Sequence, residues 1–407
     1  MPEWSVIDNS FDKCLKCNAC TVICPVSGVS LDFGGPKHLG PEYKRLTDNQ
    51  ITVNEPSIEL CTLCGTCDRS CPEGVHVSLL TAYGKAVHAE KSGTTLRDLT
   101  LSRAELVGKL ASAFAPVTNK VMKIKPARKL MEWTMHIPAE RQFPEYKYNH
   151  FKKKYKKKEA TTERKVAFFS GCYTTYNAPH VGEAFIKVME YNGIEVALPE
   201  QKCCGVPMFA NGQMKQGLKN ASSNTNSLLL YVNEGYDIVT TCSSCASSLK
   251  KDYPAFLQTE EAVKVSKNIY GSEEYLRKLY EEGELNMSLA SLDEKAGYFS
   301  PCHMKGQGVG TPAIDVLELI PDYKVEDMDA GCCGQCGTFG FKKEKYPLSM
   351  RIGNGMRQTI AESTKDYIVT ECGMCKNQLN QLAVEKVKHP IEIIKKSYES
   401  VLEKDRL

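Results

Sequence analysis

Ten cysteines fall into two copies of one frame. The first copy holds Cys172, Cys203, Cys204, Cys242 and Cys245, and the second holds Cys302, Cys332, Cys333, Cys372 and Cys375. In each, a lone cysteine precedes a Cys-Cys-Gly triplet and a C-x-x-C pair follows it. Counterparts lie about 130 residues apart, too far for a solenoid period and right for a duplicated half-domain. Five converging thiolates are one more than a cubane cluster or a zinc ion takes. Adjacent cysteines chelate a single tetrahedral ion poorly but can reach two different irons. The frame therefore points to a site that holds more than one iron. Zinc on four of the five thiolates and a reversible thiol switch are the alternatives. Gly205 and Gly334 would let the backbone turn sharply beside the sulfurs.

The copies are unequal. Where the first has Val206-Pro207, the second has Gln335-Cys336-Gly337 and then Thr338-Phe339-Gly340-Phe341-Lys342-Lys343. Cys336 reads as an extra ligand, a redox-active thiol or a buried residue. His303, beside Cys302, reads either as a hydrogen-bond partner of a ligand or as a proton relay. Lys342 and Lys343 read as surface residues or as site cations. Cys336, His303 and Lys342 are the candidate catalytic set, and they make the second copy the expected exit for electrons. Gly306-x-Gly308-x-Gly310 does not fit a dinucleotide fingerprint.

Eight further cysteines form two runs, Cys14, Cys17, Cys20, Cys24 before Pro25 and Cys61, Cys64, Cys67, Cys71 before Pro72. Each is C-x2-C-x2-C-x3-C-P, the bacterial ferredoxin pattern, in which the fourth cysteine crosses to the other cluster. This predicts one cubane [4Fe–4S] cluster on Cys14, Cys17, Cys20 and Cys71 and a second on Cys61, Cys64, Cys67 and Cys24. Zinc sites do not repeat four-cysteine runs in this way. The spacer from Val26 to Leu60 is long and carries helix-like pieces, as in α-helical ferredoxins, and His38 within it reads as a surface or packing residue.

The elements that must position these residues change character along the chain. From Arg164 onward, strands alternate with helices: Val166–Phe169 and Gly297–Phe299, then Ile194–Leu198 and Tyr323–Val325, then Tyr236–Thr241 and Asp366–Thr370. Helices are expected at 181–191 and 312–319, and after the C-x-x-C pairs at 246–251 and 376–387. Such alternation argues for parallel sheets with the thiolates at the carboxyl ends of the strands. The expected fold is α+β overall: a helical two-cluster ferredoxin at 1–95, a basic amphipathic linker at 96–163, and a duplicated α/β domain with a pseudo-twofold repeat at 164–290 and 291–407. In the linker Leu106, Val107, Leu110, Phe114, Val117, Val121 and Met122 recur at helical spacing among lysines, a second helix holds Leu130 and Trp133, and Lys152–Lys158 is a basic run. The linker either packs on the body with a solvated tail or lies on a membrane surface.

Lys+Arg 52 against Asp+Glu 49 leaves +3 over 407 residues, which argues against a polyanionic partner, and no groove pattern points to nucleic acid. Nineteen cysteines in a chain of this size, opening without a basic and apolar leader, fit thiolates held for metal in a reducing cytoplasm better than disulfides. No apolar run reaches the length of a spanning helix.

These motifs together resemble the CCG-domain iron–sulfur subunits, which include heterodisulfide reductase subunits and the iron–sulfur subunits of glycolate and lactate oxidases and of anaerobic glycerol-3-phosphate dehydrogenase. The likeness rests on Cys203-Cys204-Gly205-Val206-Pro207, Pro301-Cys302-His303-Met304, Gly337–Glu344 and Phe114-Ala115-Pro116, and covers nearly the whole chain. It implies an electron-transfer subunit that takes electrons from a partner FAD-containing dehydrogenase subunit and passes them through two cubanes to menaquinone. Such subunits sit peripherally on the cytoplasmic side of the membrane. It also implies non-cubane clusters at the CCG motifs, with zinc in one copy of some relatives. Reduction of a disulfide at such a cluster, or a zinc-stabilised interaction scaffold, are the contrasting functions.

Overall fold

Among the described residues eight short strands form two sheets, most of them on buried runs such as Val166–Phe168. The computed structural model describes residues 9–49, 51, 53–148, 151–153, 155, 161–382 and 386–404. Strands β1 (Lys165–Phe168), β2 (Glu195–Ala197), β3 (Asp237–Thr240) and β4 (Ile269–Gly271) pair in the order β2-β1-β3-β4. Strands β5 (Lys295–Tyr298), β6 (Lys324–Asp327), β7 (Tyr367–Val369) and β8 (Val387–Lys388) repeat that order as β6-β5-β7-β8. Every pairing is parallel, with Ala167 opposite Ala197 and Ile238, and Gly297 opposite Glu326 and Ile368. Helices Pro179–Tyr191 and Met214–Asn233 make the crossovers of the first copy, and Pro312–Leu317 and Tyr346–Ala361 those of the second. The fold is thus a mixed helix–strand architecture with a duplicated parallel α/β unit behind an N-terminal ferredoxin-like segment.

One apolar core joins the copies: Phe168, Phe185 and Val188 belong to the same cluster as Tyr298, Val316, Val369 and Ile391. Tyr191 meets Tyr398 of the last helix with ring centroids 5.3 Å apart.

The edge strands β4 and β8 were not expected. The helix after the second C-x-x-C runs from Gly373 to Gln381, and Val387, expected in that helix, pairs instead with Ile368. Strands of two or three residues carry no periodicity, so backbone pairing alone selects them. The corresponding helix of the first copy starts at Ser243, earlier than expected, and widens into a π-helical stretch at Ser248–Asp252. Pro254, which has no N–H to continue the ladder, follows directly.

Among its described residues the linker carries four α-helices, Leu96–Ser102, Ala104–Ala113, Ala115–Val121 and Lys125–Met135. Pro116 and Pro126 occupy first-turn positions and so restart the helix twice. Its body-facing side is made of small residues, Gly108, Ser112 and Ala115, with Gly108 against the Tyr176 ring. The large apolar side chains point outward: Leu106, Leu110, Phe114, Val117, Leu130 and Trp133 are exposed. The helices thus meet the body mainly through small residues, while most of the apolar face points away from it. Lys154 and Lys156–Lys158 of the basic run lie outside the described residues. Lys152 is half-buried, and burial holds its ammonium below the ordinary lysine range against the pull of Cys172 and Glu105. His38 bridges Glu42 (3.3 Å) and Glu55 (3.1 Å), the contacts of a packing residue. Among the described residues no helix is long and apolar enough to cross a membrane.

Candidate metal centres

The two ferredoxin runs fold as matching loops. Each has two left-handed residues between its cysteines, Lys16 and Asn18 in one and Leu63 and Gly65 in the other, which curl the chain around a cavity. Cys14, Cys17, Cys20 and Cys71 line one cavity with Lys37, Pro41 and Val75. Cys24, Cys61, Cys64 and Cys67 line the other with Phe33, Pro36 and Ser78. The fourth cysteine of each run therefore sits with the first three of the other. Burial pushes the Cys61 thiol up to about 12 against the pull of Lys85, and Cys64 to about 11. It also raises Cys67, with help from the charge of Asp68. Crowded, desolvated sulfurs suit a cationic iron–sulfur core, which would hold them as thiolates.

In the first copy the sulfurs form a hydrogen-bonded chain, Cys172 to Cys203 to Cys204 to Cys245 to Cys242. Cys242 lies at the N-cap of helix Ser243–Ser247. A hydrogen bond from Cys245 and backbone N–H groups of Cys245 and Ser244 draw its thiol down to about 7. The second copy repeats this through Cys302, Cys332, Cys333, Cys375 and Cys372, with Cys375 Sγ 3.4 Å from Cys333 Sγ. Cys336 belongs to the same group, with its Sγ 3.8 Å from that of Cys332. The turn glycines are required. Gly205 and Gly334 have φ of +94° and +79°, and a Cβ on Gly334 would fall 2.1 Å from the Ser349 carbonyl oxygen. Among the described residues no three His, Cys, Asp or Glu side chains are gathered about one point as a single ion requires. The sulfurs are instead spread in chains.

The sulfurs of the two copies face different neighbours. Helix Ala104–Ala113 covers the first, and the Glu105 carboxylate accepts from Cys203 N–H at 2.9 Å. Asn220 donates to the Cys203 carbonyl at 3.2 Å, and Asn224 Nδ2 donates to Tyr253 Oη at 2.8 Å. The second copy abuts the ferredoxin segment: Cys302, Cys332 and Cys336 share an apolar cluster with Cys24 and Cys61. Cys302 is close enough that its charge raises the thiols of both Cys64 and Cys336.

His303 stands where all three meet. Its Nδ1 is 2.7 Å from Ser244 Oγ, between the C-x-x-C cysteines of the first copy, and its Nε2 is 3.3 Å from the Leu63 carbonyl oxygen beside Cys64. Burial holds the ring below the ordinary histidine range. It borders a cavity of about 340 Å³ lined also by Cys64, Lys251, Asp252 and Phe256. Tyr173, next to Cys172, packs its ring on Gly373, next to Cys372, and so touches both copies.

Lys342 is neither a surface residue nor directed at the sulfurs. It is buried, with Nζ 3.1 Å from Asp98 and 3.7 Å from Glu59. Its place corrects the surface reading, and its role is to join the second copy to the ferredoxin segment and to the start of the linker. Glu105, Ser244, Tyr173 and Asn224 were not singled out in the sequence. Only Ser244 had a signal, as an inner residue of a C-x-x-C pair.

Two parallel α/β units with sulfur chains at their strand ends, packed against a two-cage ferredoxin, define a CCG-type iron–sulfur electron-transfer subunit. The cysteine-rich CCG domain matches at residues 166–250 and 296–380, and the 4Fe-4S dicluster domain matches at residues 10–75. The chain is 33% identical over 392 residues to one subunit of the anaerobic glycerol-3-phosphate dehydrogenase of Escherichia coli (strain K12), covering 95% of this chain and 98% of that one. It is 27% identical to one subunit of the fumarate reductase (CoM/CoB) of Methanothermobacter marburgensis, over 89% of this chain and 66% of that one. It is 23% identical to the glycolate oxidase iron–sulfur subunit of E. coli, over 96% and 95%. The chain belongs to this family of oxidoreductase iron–sulfur subunits.

Proposed function

We propose that this chain is the electron-delivering subunit of a membrane-associated respiratory dehydrogenase. It would accept electrons from an FAD-containing partner that oxidises glycerol 3-phosphate or a related 2-hydroxy acid, and deliver them to menaquinone at the cytoplasmic face of the membrane. The observation that carries this reading is the packing of Cys24, Cys61 and Cys64 against Cys302, Cys332 and Cys336, which makes one continuous sulfur-lined route. When bound, iron–sulfur clusters supply one-electron carriers along that route.

The residues have distinct parts in it. The crossed cysteines hold the two cubane sites of module 1–95, and the ten CCG cysteines with Cys336 hold the sites of modules 164–290 and 291–407. His303 fixes the three loops relative to one another and can hold a proton at Nδ1 toward Ser244. Since the sulfurs of the second copy share a cluster with the ferredoxin cysteines and those of the first pack beneath the linker residue Ala104, the second copy is read as the entry and the first as the exit, a different reading from the one Cys336 suggested. The outward Leu106, Leu110, Phe114, Val117 and Trp133 with Lys109, Lys120, Lys123 and Lys129 form an apolar face with a basic rim, the pattern of an interfacial anchor.

Metal and sulfide analysis of anaerobically purified protein, with EPR, tests the sites. About twelve to sixteen irons support clusters at the CCG motifs; about eight irons with zinc would remove them. Oxidation of reduced protein by a menaquinone analogue in liposomes supports the quinone route, and rapid oxidation by a heterodisulfide without quinone oxidation would replace it. For the anchor, Val117→Glu with Trp133→Glu should weaken binding to anionic liposomes at least about tenfold, since each inserted CH2 contributes roughly 0.8 kcal/mol. Unchanged co-sedimentation would return the linker to another partner.

A further inference from the structure

Arg141 lies in the loop after the linker helices and is 1% exposed. Its Nη1 donates to Gln378 Oε1 at 2.7 Å, on the helix that begins at the second C-x-x-C. Phe341 and Tyr346 stack on the guanidinium at 5.4 and 5.8 Å. The loop is clamped by Arg128, whose Nη2 donates to the carbonyl oxygens of Pro138 (2.8 Å) and Arg141 (2.6 Å). Yet Arg141 Nε and Nη2 have no hydrogen-bond acceptor and no accessible surface. Among the described residues no carboxylate pairs with it; the negative charge that would act on it is a thiolate at Cys333, since the Tyr346 phenol, pushed up by burial, stays neutral.

A buried guanidinium cannot shed its proton, and without a counter-charge it costs several kcal/mol. A cavity of about 920 Å³ borders the residue, but the two free N–H donors are sealed from solvent, so a dissolved anion does not satisfy them. The charge that can reach them from inside is that of the thiolate set around Cys333, whose carbonyl oxygen flanks the same point beside Gly353 as the amide of Gln378, the partner of Arg141. We propose that Arg141 is the fixed counter-charge of the second CCG cluster, raising its reduction potential so that it accepts electrons from the ferredoxin side. A fixed positive charge favours the state with one more electron. This rests on the reading that the second CCG site holds a cluster. Arg141 acts through the thiolates and is a positioning residue.

The test is an EPR-monitored redox titration of the complete chain, reduced stepwise with dithionite. The second CCG signal is identified as the one that Cys375→Ser abolishes. In Arg141→Gln the reduced-to-oxidised ratio of that signal at fixed potential should fall about tenfold, a shift of about 59 mV to lower potential for one electron. The two ferredoxin signals should stay in place, and Arg141→Lys, which keeps the charge, should stay within about threefold of wild type. If Arg141→Gln loses the signal altogether, retention in Arg141→Lys still supports the charge. Equal effects of the two variants, or no shift in Arg141→Gln, would overturn the proposal as a matter of packing. A wild-type protein with no signal that depends on Cys375 would instead overturn the cluster reading beneath it.

Discussion

Replacing Cys64 with serine is expected to cut electron delivery from the partner side to the CCG sites by more than about 100-fold, exceeding the effect typical of outer ligand partners. Cys64 lines the second ferredoxin cavity with Cys24, Cys61 and Cys67. It is also the cysteine of that cavity on which the charge of Cys302, in the second CCG copy, acts most directly. Its sulfur is 3.3 Å from Thr66 Oγ1, inside a loop held by the left-handed Leu63 and Gly65, so a serine oxygen would sit in the same place with far weaker affinity for iron. Rapid-freeze EPR after mixing with the reduced flavoprotein partner would follow each signal. The first ferredoxin signal should still appear at its normal rate while the CCG signals lag. CCG reduction within about threefold of wild type would show that electrons reach those sites by another way.

The grouping of the cysteines was legible in the sequence because cysteine spacing is a direct record of loop geometry. Two C-x2-C-x2-C-x3-C-P runs leave few ways to wrap a cluster, and the structure places Cys71 with the first loop and Cys24 with the second. Three strands of each copy were also readable, since apolar runs such as Val166–Phe169 mark their place in the strand–helix alternation. What could not be read were features set by distant partners. The two-residue β8 exists through pairing with Ile368, and the orientation of the linker helices depends on small residues finding Tyr176. Helical spacing marks an apolar face without saying whether the body or something else covers it. Lys342 shows the same limit, since a lysine after a site loop looks solvent-facing until Glu59 and Asp98 are brought to it from far along the chain. Cys336 was legible as unusual, and its membership of the second sulfur chain became visible only with the fold.

Those distant partners make the charged cluster at the junction the other sensitive point. Glu59→Gln is expected to destabilise the protein by about 3 kcal/mol and to lower the thermal midpoint by roughly 5 °C or more, because breaking a buried ion pair leaves uncompensated charge. Glu59 sits among three buried lysines: Lys345 at 2.8 Å, Lys342 at 3.7 Å, and Lys85, which donates to the Glu59 carbonyl oxygen at 3.3 Å. Although burial alone would raise it, the charges of Lys85, Lys345 and Lys342 hold its carboxyl far below the ordinary range. Among the described residues, Asp98 remains as the acid paired with Lys342 in the variant. The cluster also carries a pH signature. Burial, with the charges of Lys85 and Lys342, depresses the Lys345 ammonium to about 7, against an ordinary lysine near 10.4. Between those values the folded chain binds fewer protons than the unfolded chain, so this group adds stability as pH rises from about 7 toward 10 and adds none below. Lys345→Met should therefore flatten the alkaline rise in stability, and in the Glu59→Gln background it should recover part of the loss by removing one unpaired cation. Thermal melts of the four proteins at pH 6.5 and 9.5 would check both statements. A Glu59→Gln melt indistinguishable from wild type, or additive losses in the double variant, would show that the lysines are stabilised by something other than Glu59.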